Sequence, residues 1–178
     1  MKPRITDHLV AVYMTPDRIL EAIAALKTVG FETTAFSLVG QNFQLENRPV
    51  GFLNQFYREN IWGNLGSAWN SVWDALPNSE TFFVPKIGDV IFTGKLATCF
   101  QSETIPDDQS ALECALISIG GTSFCITEYE WYLKSRRFLF IVHGSTSEVR
   151  KAKGMLNHTP AARIDLYKTS GENWDSNQ

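Results

Sequence analysis

Cysteine is scarce in this chain, and its few copies are poorly placed for cross-linking or for metal binding. The 178 residues include three widely spaced cysteines, Cys99, Cys114 and Cys125. A disulfide framework needs an even set of cysteines, and a structural zinc site needs them in close pairs. The sequence therefore predicts free thiols, which act in a folded core as small hydrophobic side chains.

The chain also lacks a long hydrophobic run. Its longest stretches without a charged residue, 60–73 and 114–127, have 14 residues each and include Asn, Ser, Thr or Gly. A membrane-spanning helix needs about 20 mostly apolar residues, and the apolar stretch Leu9–Met14 is too short for a signal peptide. We therefore expect no transmembrane segment and a cytoplasmic location.

An excess of positive charge and the common catalytic motifs are missing too. The 16 lysines and arginines are outnumbered by 19 aspartates and glutamates, which argues against a dedicated nucleic-acid binder. There is no dinucleotide fingerprint, phosphate-binding loop, nucleophile elbow or histidine pair at metal-binding spacing. Gly88 and Gly94 lack the spacing of a phosphate cradle and are expected to serve turns and close packing. We expect no enzyme activity, no cofactor and no metal.

Two similar strand–helix–strand units lie at the two ends of the chain. In the first unit, residues 8–39, the apolar run His8–Met14 predicts a buried strand. The sequence Thr15-Pro16-Asp17 predicts the start of a helix that ends at Gly30, with Phe31 making the contact that follows a glycine cap. Residues 33–39 then predict a returning strand.

The second unit, residues 138–168, follows the same order. Phe138–His143 predicts a strand, and Ser145 with Glu148 has the spacing of a helix capping box. The alternating stretch Arg163–Tyr167 predicts a strand with one buried face, at the edge of a sheet.

Together the two units predict an α+β fold, a ferredoxin-like antiparallel sheet built from both chain ends with two helices on one face. Residues 40–137 would form a helical, aromatic-rich insertion within a single domain spanning residues 1–178. The strands at 8–14 and 138–143 are apolar at successive positions, so their second face should be buried as well, against the insertion or a partner. The polar tail, residues 169–178, is expected to be disordered.

The fold prediction brings two histidines to one end of the sheet. His8 begins the first strand and His143 ends the strand expected beside it, where the next helix also begins. With Ser145 and Thr146, this end could bind a small anion through imidazoles and free backbone N–H groups. The alternative is that the histidines face water or each other. His158 falls at the opposite end.

Tryptophans in the insertion predict a second surface. Trp69 and Trp73 share one face of an expected amphipathic helix, and Trp62 lies nearby in sequence. They fit a buried core, an interface with a protein partner, or contact with a membrane surface. As the interface residues of a self-associating protein, they would lie at or near the contact between copies.

Several short motifs follow one another along most of residues 8–168: Val10–Tyr13, Lys27–Phe31, Phe83–Gly88, Gly120, Glu128–Glu130, Leu133-Lys134 and Phe138–Gly144. In these motifs and their order the chain resembles the bacterial general stress protein 17M-like group and related uncharacterised glycine-zipper proteins. The middle of such proteins is rich in glycine and alanine and is often called membrane-associated, whereas this chain has Trp, Asn, Lys86, Asp89 and Lys95 there. The biochemical role of the group is unknown, so the resemblance implies a stress-associated protein but no catalytic residues.

The sequence thus favours a non-enzymatic interaction or structural protein of the cytoplasm, self-associating or docked in a larger assembly. The alternative is a regulatory module that binds a small anionic ligand at the His8/His143 end of the sheet.

Overall fold

A computed structural model describes residues 7–41, 79–97, 109–119, 121, 123–168 and 173–174. The class is α+β, as the sequence predicts: helices pack on one antiparallel sheet. In chain order the described elements are β1 (Asp7–Tyr13), α1 (Pro16–Thr28), β2 (Phe36–Gln41), β3 (Ser79–Val84), β4 (Gly88–Gly94), α2 (Ala111–Ser118), α3 (Ser123–Lys134), β5 (Phe138–Gly144), α4 (Thr146–Leu156), β6 (Arg163–Tyr167) and β7 (Asn173–Trp174).

The sheet has the strand order β3-β4-β2-β5-β1-β6-β7, and every neighbouring pair is antiparallel. β1 lies between β5 and β6, and its pairing with β5 sets His8 opposite His143. The pairing of β1 with β5 therefore determines the relative position of these two residues.

Local sequence signals fix the ends of the two flanking helices. Gly30 has a positive φ of 98°, and the backbone N–H of Phe31 donates to the carbonyl oxygen of Leu26, which is the glycine cap expected for α1. At the start of α4, Ser145 and Glu148 form the expected capping box. The returning strand begins later than predicted, because Thr33–Ala35 forms a short 3-10 turn before β2.

Both faces of the sheet are covered. Alternate residues of β1 and β5, such as Ala11 and Phe140, pack against α1 and α4 in one hydrophobic cluster. The residues between them, such as Val10 and Ile141, join a second cluster with side chains of α2 and α3. The insertion thus buries the second face, which explains why β1 and β5 show no polar–apolar alternation.

The described part of the insertion is not purely helical, which corrects the expectation. Its hairpin β3–β4 extends the sheet beyond β2, with positive φ angles at Lys86 (73°) in the connecting turn and at Gly88 (101°), the first residue of β4. Gly94 serves close packing as predicted, because a Cβ there would lie 2.2 Å from the backbone oxygen of Phe36. The sequence did not predict this hairpin because Pro85, Gly88 and Gly94 are residue types that usually interrupt strands.

The C-terminal end of the sheet also differs from expectation. Asn173–Trp174, inside the tail expected to be disordered, forms β7 and pairs with Leu166 and Tyr167. β6 is consequently not the edge strand that its alternation suggested, because an outer strand satisfies its exposed backbone groups. Within the part of the chain that the structure describes, no helix is long and apolar enough to cross a membrane.

Candidate functional site

His8 and His143 form the centre of the candidate site, at the end of the sheet where the sequence analysis expected them. Their Nδ1 atoms are 2.9 Å apart, and both side chains are buried. Two nitrogens at this distance share one proton, so one imidazole donates and the other accepts. The histidines therefore face each other, which was the alternative to an anion site.

The other ring nitrogen of His143 is engaged as well. Its Nε2 lies 2.7 Å from the Oγ of Ser37, and the backbone N–H of Leu96 donates a hydrogen bond of 3.0 Å to the same oxygen. The serine–histidine contact resembles a nucleophile with its base, but Ser37 has no exposed surface. Through its contacts with His143 and Leu96, the buried Ser37 side chain joins β2, β5 and the segment after β4.

Burial keeps the two imidazoles uncharged. Loss of hydration, followed by the positive charge of Lys95, lowers the pKa of His8 to about 4, while Asp7 partly opposes the shift. Loss of hydration, then His8 and Lys95, lowers the pKa of His143 to about 3. Both are therefore neutral near neutral pH, and they supply hydrogen bonds but no positive charge.

The hydroxyl groups proposed for anion binding already have partners. The Oγ of Ser145 accepts from the backbone N–H of Glu148, and the Glu148 carboxylate accepts from the backbone N–H of Ser145 at 2.7 Å. The Thr146 hydroxyl donates to the carboxylate of Asp7 at 2.7 Å. The Glu148 carboxylate thus already lies at the N-terminus of α4, where the helix dipole favours negative charge.

A cleft of about 350 Å³ opens beside this group of residues. It lies where the chain leaves α1, where β4 and β5 end, and where α4 begins. The Lys151 ammonium donates to the carbonyl oxygen of Val29 at 3.1 Å and holds α4 against the end of α1 next to the cleft. The residues that line the cleft are Gly30, Phe31, Glu32, Thr34, Ala35, Lys95, His143, Gly144, Ser145 and Glu148.

Sequence reasoning did not assign several polar residues of the cleft and of the adjoining hydrogen-bond network to this site. Glu32 and Thr34 follow α1, Ser37 lies in β2, and Lys95 follows β4. The first three belong to a connection and strand that the sequence placed correctly at this end, so their neighbourhood with His143 was within reach. The position of Lys95 could not be predicted in this way. It follows β4, which the sequence did not predict, and it reaches the cleft because β4 pairs with β2.

A second buried polar network fastens the insertion to the sheet. The Tyr129 hydroxyl on α3 donates to Asp165 on β6 at 2.6 Å and lies 2.6 Å from the hydroxyl of Tyr167. Arg163 donates to Asp165 and to Glu128 and lies over the Tyr129 ring. Burial, then the neighbouring charges and hydrogen bonds, raises the pKa of Tyr129. The hydroxyl stays protonated, and this network has a structural role.

The remaining residues that the sequence analysis named are Trp62, Trp69, Trp73 and His158. Trp62, Trp69 and Trp73 lie outside the described residues, and His158 is exposed at the end of α4, away from the cleft. Among the described residues, no three histidine, cysteine or acidic side chains converge as metal ligands would.

The comparisons with known proteins add no further constraint. No family model, curated protein or solved structure matches this chain.

Proposed function

We propose that this protein is a non-enzymatic regulatory module that binds a small charged molecule in the cleft beside His143. The cleft itself carries this proposal: about 350 Å³ is within the usual size range of small-molecule sites, and charged side chains from three separate segments line it. The ligand site expected from the sequence moves accordingly from the two imidazoles to the cleft next to them, because their Nδ1 atoms contact each other and the Nε2 of His143 contacts Ser37.

A second part of the proposal concerns the topology of the core. We propose a ferredoxin-like unit formed by β1, α1, β2, β5, α4 and β6, supported by the strand order β2-β5-β1-β6 and by α1 and α4 packing on one face. The insertion then occupies the opposite face, and the cleft opens at one end of the unit. Membership of the stress-protein group remains a proposal that rests on the sequence motifs.

Ligand binding predicts a rise in melting temperature. A ligand at 100 times its dissociation constant stabilises the folded state by about 2.7 kcal/mol, or about 5–10 °C for a chain of this size. We expect one class in a panel of nucleotides, phosphorylated metabolites, carboxylates and amino acids to produce such a shift. Thr34→Trp, which fills the cleft from an exposed position, should abolish it.

The matched control is Ala24→Trp, which places the same side chain at an exposed position on α1 that does not line the cleft. It should keep the full shift. A panel without any shift, or a shift that survives Thr34→Trp, would rule out the cleft as the binding site.

Self-association is a second proposed function, and one observation favours it. Phe83 is 72% exposed although it lies in β3, the outermost described strand on its side of the sheet. An apolar side chain on an outer strand is unusual, because such strands readily pair with another chain. We propose that β3 contributes to an interface between copies, together with the tryptophans predicted from the sequence.

Replacing Phe83 with lysine should weaken dimer formation by about tenfold or more, because it places a charge in an apolar contact. Sedimentation velocity over a range of protein concentrations would measure the change. Met14→Lys is the control, since Met14 is also largely exposed but lies beyond the end of β1. A strictly monomeric wild-type protein, or equal effects of the two substitutions, would refute this interface.

A further inference from the structure

We infer that the cleft takes a zwitterion, a small molecule with both an ammonium and a carboxylate group, of which a free amino acid is the simplest example. This inference rests on the proposed ligand-binding function and specifies its substrate class. It is based on the ionisable side chains that line the cleft: one lysine, Lys95, and two acids, Glu32 and Glu148. They come from the segment after β4, the connection after α1 and the first turn of α4.

Charges of both signs on these walls disfavour a simple anion. Two carboxylates and one ammonium line the cleft, and the neutral imidazole of His143 adds no positive charge. The N-terminus of α4 does not compensate, because the Glu148 carboxylate already accepts from the backbone N–H of Ser145. An anion would meet one favourable and two unfavourable charges.

A molecule with two charges of opposite sign matches the walls better. Its acidic group would pair with Lys95, whose charge lies close enough to His8 and His143 to lower the pKa of both. Its ammonium group would pair with Glu32 or Glu148. Phe31, which stacks on Phe36, gives the cleft an aromatic wall for an apolar side chain. The cleft is at the small end of ligand sites, which suits a metabolite rather than a polymer.

Isothermal titration calorimetry with matched probes tests the inference. L-phenylalanine carries both charges, 3-phenylpropanoate lacks the amine, and phenethylamine lacks the acid. L-leucine, 4-methylpentanoate and isoamylamine form an aliphatic set with the same design, and inorganic phosphate represents a plain anion. We expect a zwitterion to bind the full-length chain at least about tenfold more tightly than either of its single-charge analogues at low salt.

Two variants extend the test to the protein side. Glu32→Gln should weaken zwitterion binding while leaving the carboxylate analogue unaffected or bound more tightly, and Lys95→Gln should weaken the zwitterion and the carboxylate analogue together. Both positions are exposed, so neither substitution disturbs the core.

The possible failures are distinguishable. Tighter binding of phosphate or of the carboxylate analogues would overturn the zwitterion inference and leave the cleft as an anion site. Tighter binding of the amines alone would overturn it in favour of a cation site. If no probe binds and the wider metabolite panel also gives no thermal shift, the proposed function fails together with the inference.

Discussion

Acidification from about pH 7 to about pH 5 is expected to lower the free energy of unfolding by about 4 kcal/mol through His8 and His143 alone. Their pKa values are about 4 and about 3 in the folded protein, against 6.5 for an ordinary histidine. Each contributes about 2 kcal/mol over this interval, because the unfolded chain takes up a proton that the folded chain excludes.

The sign follows from the direction of the shifts. Both pKa values are lowered on folding, so the stabilisation is fully present above pH 6.5 and is lost as the pH falls towards the folded values. Lys95 strengthens the effect because it disfavours a second positive charge, whereas Asp7 weakens it at His8. Urea unfolding at several pH values would measure the slope.

The double variant His8→Gln, His143→Gln is the control for acidification. Its stability at neutral pH is expected to be lower, but its dependence on pH between 7 and 5 should be flatter by about 2 kcal/mol per pH unit. An imidazole NMR titration of the wild-type chain gives an independent reading. Titration of either histidine near pH 6.5 in the folded protein would contradict the buried neutral pair.

Replacing Asp165 with alanine is expected to destabilise the fold by about 3 kcal/mol. Asp165 is only 7% exposed and accepts hydrogen bonds from Tyr129 and Arg163. Its removal leaves a buried hydroxyl and part of a guanidinium group without their acceptor, between the insertion helix α3 and strand β6. Chemical denaturation would measure the loss.

An exposed ion pair provides the matched control for Asp165. Glu21 pairs with Arg18 on α1, and both side chains are about half exposed. Glu21→Ala removes a carboxylate of the same kind, but we expect a change of at most about 0.5 kcal/mol because water replaces the lost contact. Similar losses for Glu21→Ala and Asp165→Ala would mean that the buried network does not fasten the insertion to the sheet.

The elements that could be predicted from the sequence are those with strong local signals. α1 has a proline start and a glycine cap, and α4 has a capping box, so both were placed to within a few residues. β1 and β5 were recognised because continuous apolar runs indicate strands buried on both faces. These local signals also sufficed to set His8 near His143.

The features that escaped prediction depend on contacts between distant parts of the chain. β4 is recognisable only from its pairing with β2 and β3, and Lys95 reaches the cleft only through that pairing. The proton shared by His8 and His143 and the burial of Ser37 are likewise tertiary properties. Sequence spacing shows that two residues can meet, but not whether their nitrogens remain available to a ligand.

Amide NMR mapping of ligand binding tests the central claim most directly. Titration of the ¹⁵N-labelled full chain with L-phenylalanine or L-leucine should shift signals from Gly30–Ala35, Lys95 and Gly144–Glu148, the three segments that line the cleft. The same titration of Thr34→Trp should leave these signals unchanged. Shifts that cluster instead on β3 or on α3, or no shifts with any probe of either charge, would contradict a ligand site in this cleft.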